Sequence, residues 1–248
     1  MFGKLNGDNI DNMDKDIQLI IAGSSSGIGQ KLIPILQSRG YEDILGIYNS
    51  HRTDLIKEFS LERALYDDEY PGGPAPNPFL TSLKSKICLI NLLGISINGS
   101  ISKITDEQWL KTFNINVNTS FRLVRRLWPY MKQNKYGRII LMGSVVPHTS
   151  IFGTSAYSAS KSALEGFRHE LVSEGIKDNI LTFGMDLGYM DAGMTYTIPG
   201  NILANLKENI PLKRFGSIEE VANSIEFLIN TPYMVGQTLH LNGGLYFG

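Results

Sequence analysis

Tyr157 and Lys161 stand four residues apart in the string Y-S-A-S-K. On a helix that spacing puts both side chains on one face, one turn apart. Ser144 lies thirteen residues before Tyr157, where a short apolar run ends in Gly143-Ser144. The intervening loop of small and polar residues can return the serine hydroxyl to the tyrosine. A free phenol has a pKa of roughly 10 and is a poor acid–base group near neutrality. A neighbouring ammonium favours the phenolate and brings the phenol closer to working pH. A serine hydroxyl beside it can hold a carbonyl or alcohol oxygen. Proton transfer at an oxygen is the chemistry this trio predicts. An isolated Y-x-x-x-K is more often a pair on a solvated helix face, so the surrounding elements decide.

The first of those elements is a β-leaning run, residues 18–22, that passes directly into Gly23-Ser-Ser-Ser-Gly27-Ile-Gly29 and then into a helix expected over 30–38. Strand, glycine turn and helix together form an anion site. Glycines let backbone N–H groups approach a pyrophosphate at a helix N-terminus, where the dipole also favours negative charge. Gly23, Ser25, Ser26, Gly27, Ile28 and Gly29 are the expected cradle. The spacing is G-x-x-x-G-x-G rather than G-x-G-x-x-G. A second strand, residues 44–48, is followed by Asn49-Ser50-His51-Arg52. A carboxylate at this position would bind a ribose 2′-hydroxyl and favour NAD. Asn49, Ser50 and Arg52 could instead receive a 2′-phosphate, so NADP(H) is favoured over NAD(H).

Further along, residues 53–61 read as a helix and 63–66 as a short third strand, with Asp67 at its end as an adenine contact. Residues 70–78 are a Pro- and Gly-rich loop, and 80–84 a short helix at most. Residues 87–93 form a near-continuous apolar run, as in a strand buried on both faces of a parallel sheet, ending in Asn91-Leu-Leu-Gly94. Thr105-x-x-Gln108 is a capping box opening a helix to Phe113. Three asparagines interrupt the pattern over 114–118, and residues 121–132 resume it with a bend expected at Pro129. The basic residues Arg122, Arg125, Arg126 and Lys132 are read as a solvated face. The Tyr157 helix runs to about Glu174, and a sixth strand spans 180–184. A segment at 188–215, with its own short helix at 201–209, is a lid candidate. Ser217-x-x-Glu220 opens a last helix, and 237–241 is a last strand. The alternation of strands and helices predicts an α/β fold: a single Rossmann-type, doubly wound parallel β-sheet with helices on both faces.

The chain has 248 residues, 42% hydrophobic and 19% charged, with a net charge of −1. That suits one globular domain over 1–248, with a polar lead-in at 1–16, and implies no nucleic-acid partner. No apolar run reaches the roughly 18 residues of a membrane span, and the N-terminus lacks an apolar signal core, so a cytoplasmic setting is expected. The single cysteine, Cys88, sits in an apolar run and reads as a core residue. No metal-ligand motif stands out.

These landmarks, in this order, resemble the short-chain dehydrogenase/reductase family over nearly the full chain: A22-G-S-S-S-G-I-G29, N91-L-L-G94, Asn116 seven residues after Trp109, Ser144 and Y157-S-A-S-K161. The stretches P211-L-K-R-F-G-S-I-E-E and G236-Q-T-L-H-L-N-G-G244 look most like 3-oxoacyl-[acyl-carrier-protein] reductases and their relatives. The resemblance implies NAD(P)-dependent carbonyl/alcohol oxidoreduction by a homo-oligomer, a tetramer or dimer. It makes Tyr157 the acid–base and a cofactor contact, and Lys161 the residue that lowers its pKa and binds the nicotinamide ribose. Ser144 orients the substrate oxygen, Asn116 holds a relay water, and Asn91 and Gly94 lie on the cofactor. The family's N-N-A-G is here Asn91-Leu92-Leu93-Gly94, its P-G is Leu187-Gly188, and its usual threonine is Ala192. Nicotinamide anchoring is therefore expected from Gly188 and from backbone near Met190.

The leading expectation is an NADPH-dependent ketone reductase acting on a small-molecule carbonyl, with carrier-bound 3-oxoacyl thioesters as one candidate. The alternative is an NAD(H)-linked dehydrogenase of a secondary alcohol, sugar or secondary metabolite. Enoyl reduction is disfavoured, because relatives doing that chemistry space Tyr and Lys further apart. A non-catalytic nucleotide-binding protein is the remaining reading, and retention of both Tyr157 and Lys161 argues against it.

Overall fold

A computed structural model describes residues 15–66 and 77–247. Seven strands run parallel in one sheet: β1 (Gln18–Ala22), β2 (Ile44–Tyr48), β3 (Lys57–Ser60), β4 (Ile87–Asn91), β5 (Gly137–Ser144), β6 (Ile180–Leu187) and β7 (Thr238–Leu241). Their order is β3-β2-β1-β4-β5-β6-β7. The order reverses between β1 and β4, so the connections leave their C-terminal ends in opposite directions. A crevice opens there, where open α/β sheets bind ligands.

Helices cover both faces. On one, α1 (Gly27–Ser38) and α8 (Ile218–Asn230) bury Leu32, Leu36, Val221, Ile225 and Leu228 against Leu19, Ile21, Ile140 and Phe183. On the other, α4 (Thr119–Asn134) and α6 (Ser155–Gly175) bury Leu123, Leu127, Met131 and Leu171 against Ile20, Leu89 and Ile139. Consecutive residues of β1 thus serve opposite cores, which is why its sequence is continuously apolar rather than alternating. Burial of each such Leu or Ile side chain contributes roughly 1.5–3 kcal/mol. Both capping boxes form: Thr105 opens α3 (Asp106–Phe113) and Ser217 opens α8. The remaining helices are α2 (Leu61–Tyr66), α5 (Val146–Thr149) and α7 (Gly200–Asn209).

Three expectations change. The helix expected over 53–61 and the strand over 63–66 exchange places: residues 57–60 are β3 and 61–66 are α2. Asp54 has φ of 59°, which breaks a helix there. Phe59 is buried edge-on against Phe79, with ring centres 5.4 Å apart, and β3 pairs along β2 from Leu45↔Lys57 to Tyr48↔Ser60. Tertiary pairing overrides a local helical preference. Asp67, the suggested adenine contact, lies outside the described residues, as does most of the 1–16 lead-in. Second, α1 begins at Gly27 rather than Gln30, with Ser26 as its N-cap. Third, β6 continues three residues past Gly184, through Met185-Asp186-Leu187. The interruption at Asn114–Asn118 is a π-helical turn between α3 and α4, and Pro129 lies inside α4.

Candidate active site

The strand ends carry the glycine turn. Gly23 has φ of 91°, a backbone state that glycine adopts without strain. The Ser26 hydroxyl accepts from the Gly29 N–H at 3.0 Å, so α1 presents a capped N-terminus to the crevice. The Gly193 backbone, in the 188–215 segment, packs against Gly27 so tightly that a Cβ there would lie 2.6 Å from it.

Beside the turn stands a group that the sequence did not single out. Glu58 on β3 is only 8% exposed. It accepts from the Ser24 hydroxyl at 2.5 Å and from the Thr53 N–H at 2.6 Å. Burial pushes its carboxyl up, but the bonds from Ser24, Thr53 and Asp54 outweigh that and hold it below the usual carboxylate range. The carboxylate therefore shapes the loop carrying Asn49, Ser50 and Arg52. Those three residues are exposed, and Arg52 faces Asp54 at 3.6 Å. Arg52 also lines a recess of about 370 Å³ with Tyr48, Glu58, Glu62 and Arg63. Asn49 and Ser50 are not among its lining residues.

At the end of β4 the Asn91 amide is turned inward. It donates to Ser120 Oγ at 2.7 Å and accepts from the Leu93 N–H at 3.2 Å. Gly94 packs against the catalytic candidates: a Cβ there would lie 3.2 Å from Lys161 Nζ and 3.6 Å from Asn116 Oδ1. The π-turn places Asn116 in full burial. Its amide accepts from the Ile95 N–H at 2.8 Å and donates to the Ile95 carbonyl and to Ser160 Oγ. Its side chain thus clips the 94–95 loop to α6.

Ser144 ends β5, and its side chain shares a hydrogen bond with the Tyr157 phenol. Tyr157 and Lys161 lie one turn apart on α6, 7% and 6% exposed. Lys161 Nζ donates to the Met142 carbonyl at 2.8 Å and sits 5.8 Å from the centre of the Tyr157 ring. The expected lowering of the phenol is not what this geometry gives. Burial pushes Tyr157 above the ordinary tyrosine value, the Ser144 bond pulls it part of the way back, and Asp186 and Tyr189 push it further up. Lys161 is itself pushed down to about 8 by burial, with Asp186 countering. Lys161 therefore keeps most of its charge at neutral pH and loses it as pH rises through about 8.

Gly188 continues from β6 and donates its N–H to the Leu241 carbonyl at 2.9 Å. Met190 is buried and bridges to Gly216, an arrangement that uses the Tyr189 carbonyl and the Asp191 N–H. Beyond it the 188–215 segment carries α7 and exposes Met194, Tyr196 and Ile202. Asp186 is a second residue sequence reading passed over. A charge inside the apolar run 180–187 was the available signal.

Comparison with known proteins gives the family of the chain. The model of the family described as Enoyl-(Acyl carrier protein) reductase matches residues 84–246, more than half of the chain. Nodulation protein G of Rhizobium sp. (strain N33) is 28% identical over 236 residues, covering 91% of this chain and 95% of that protein. The 3-oxoacyl-[acyl-carrier-protein] reductase FabG of Escherichia coli (strain K12) is 27% identical over 234 residues, 92% of this chain and 96% of that protein. Acetoacetyl-CoA reductase of Allochromatium vinosum is 31% identical over 160 residues, 64% and 65% of the two chains. The chain belongs to the short-chain dehydrogenase/reductase family and is an NAD(P)-dependent oxidoreductase acting on CH–OH or C=O groups.

Proposed function

We propose that this protein is an NADP(H)-dependent reductase that converts a ketone to a secondary alcohol, with 3-oxoacyl thioesters as the first substrate class to test. The observation that carries this reading is the convergence of Ser144, Tyr157 and Lys161 at strand ends beside the glycine turn. The donors there suit a dinucleotide: a capped helix N-terminus for the pyrophosphate, and Arg52 in the recess beyond β2 for a 2′-phosphate. When bound, the nicotinamide supplies the hydride. Ser144 holds the carbonyl oxygen. Tyr157, kept protonated by its burial, gives its proton to that oxygen as the C–O bond becomes single. Lys161 and Gly94 would hold the cofactor ribose, Asn116 fixes the loop beside them, and the 188–215 segment would cover the substrate.

Two of the relatives are named as 3-oxoacyl and acetoacetyl thioester reductases, which supports the substrate class. The matched family's description names enoyl reduction, but the four-residue Tyr–Lys spacing favours carbonyl chemistry. Exposed Phe121 on α4, edge-on to Phe167 of α6, suits pairing of these helices in a cytoplasmic homodimer or homotetramer. One observation favours the NAD(H)-linked alternative: Glu58 and Glu62 add negative charge to the recess that would take a 2′-phosphate. Fluorescence titration with NADPH and NADH, followed by NADPH oxidation with acetoacetyl-CoA, separates the two. Tighter NADPH binding with turnover is expected. Preference for NADH would transfer the reading to the dehydrogenase.

A further inference from the structure

His148 on α5, Asp186 on β6 and His240 on β7 converge although 38 and 54 residues separate them along the chain. His148 Nε2 lies 2.9 Å from Asp186 Oδ2, and His240 Nδ1 lies 3.5 Å from the same oxygen. All three donor atoms fall within 4.8 Å of one another. Neighbouring groups pack against all three. Tyr246 stacks on His148 with ring centres 4.2 Å apart and meets His240 edge-on at 5.0 Å. Asp186 lies over Gly143, the facing residue of β5, where a Cβ would collide with its carboxylate. His240 Nδ1 is buried and, among the described residues, has no hydrogen-bond partner.

We propose that His148, Asp186 and His240 form a binding site for a divalent transition-metal ion of the zinc class. Two imidazoles and one carboxylate are borderline donors that suit Zn²⁺ or Co²⁺ and not the all-oxygen shells of Mg²⁺ or Ca²⁺. In a tetrahedral site with bonds of about 2.1 Å, neighbouring donors lie about 3.4 Å apart. The separations of 2.9 and 3.5 Å bracket that value. An ion between them would satisfy the orphaned His240 nitrogen, and Tyr246 would keep both rings oriented, as outer-shell groups do. The three side chains line a cavity of about 110 Å³ with Ser144, Lys161 and Arg168, which leaves room for water as a fourth ligand. The nearby cation Arg168 pairs with Glu165 at 3.8 Å. An ion here would tie α5 and the C-terminal segment to β6, bracing the loop that follows Ser144.

The assignment does not rest on the reaction proposed above, although the site shares a cavity with Ser144 and Lys161, so its test uses no turnover. Tag-free, chelator-treated full-length protein is titrated with ZnCl₂ by calorimetry and with CoCl₂ by visible absorption. One equivalent of Zn²⁺ and the spectrum of tetrahedral Co²⁺ are expected. Asp186→Asn, His148→Gln and His240→Gln should each weaken binding at least tenfold, while His51→Gln and His169→Gln should not. Imidazole proton resonances of the parent protein give a readout that needs no variant, and Zn²⁺ should shift two of the four histidines. Absence of stoichiometric binding, unchanged affinity in Asp186→Asn, or shifts confined to His51 and His169 would overturn the assignment.

Discussion

Gly143 of β5 and Asp186 of β6 are paired neighbours, and the Asp186 carboxylate occupies the space a side chain at 143 would need. One residue further along, the same strands hold Ser144 and Leu187. The sheet therefore places a half-buried carboxylate beside the residue that precedes Ser144, where its charge reaches both Tyr157 and Lys161.

Gly143→Ala should consequently destabilise the fold by about 1–3 kcal/mol, as overpacking does. Gly166 on α6 is the control, because an added Cβ there meets nothing within 4 Å. Gly166→Ala should stabilise by about 0.5–1 kcal/mol through helix propensity. Urea unfolding of the two variants reads both effects. Equal stabilities would mean that Asp186 moves aside at little cost.

Lys161 gives the fold a pH signature. Its folded pKa of about 8 lies below its ordinary value of 10.5, so the unfolded chain binds more protons between those values. Stability contributed by this group must then rise as pH increases from about 8 towards 10. Tyr157, shifted upward, begins to act in the opposite sense only near the unfolded tyrosine value of roughly 10. Comparison of Lys161→Met with the parent by denaturant unfolding at pH 7.5 and 9.5 should show the parent gaining on the variant. A constant difference would place the lysine in a more solvated setting.

Glu58 works in the other direction. Its folded pKa is depressed, so its contribution is present above the unfolded value of roughly 4.5 and is lost as pH falls through the folded one. Glu58→Gln should cost about 1–3 kcal/mol at pH 7 by weakening the charge-assisted bonds from Ser24, Thr53 and Asp54. The gap between parent and variant should narrow as pH falls below the unfolded value, and circular dichroism in urea across that range follows it. A gap that persists in acid would show that shape rather than charge matters at this position.

Arg52 faces Asp54 at 3.6 Å across an exposed loop and can turn to a phosphate. Arg52→Ala is expected to weaken NADPH about tenfold, the loss of one charge-assisted contact, while leaving NADH within about twofold. Parallel fluorescence titrations provide the comparison. Equal losses for the two cofactors would remove Arg52 from the 2′-phosphate site.

The features legible in the sequence were those whose signals are local. The glycine turn, both capping boxes, the apolar β4 run and the Tyr157–Lys161 spacing each declare themselves within a few residues, and each stands in the structure where the spacing put it. What escaped depends on pairing across the sheet. Residues 53–66 carry mixed signals, and only the partner strand β2 and the buried contact of Phe59 with Phe79 make 57–60 a strand. The grouping of His148, Asp186 and His240 spans three elements and has no spacing rule. Net charge on Tyr157 is likewise not a matter of spacing: four residues bring the ammonium near, but burial decides the direction in which the phenol moves.

The central claim is that Tyr157 gives its proton to the substrate oxygen and has no essential part in holding the cofactor. Tyr157→Phe removes one hydroxyl from a buried ring and leaves the packing of α6 in place. Cofactor affinity by titration and NADPH oxidation at saturating acetoacetyl-CoA should be measured on the same preparation. Affinity within about threefold of the parent, with turnover reduced by about 10²–10⁴, is the predicted result. Turnover near that of the parent would contradict the assignment of Tyr157 as the proton donor.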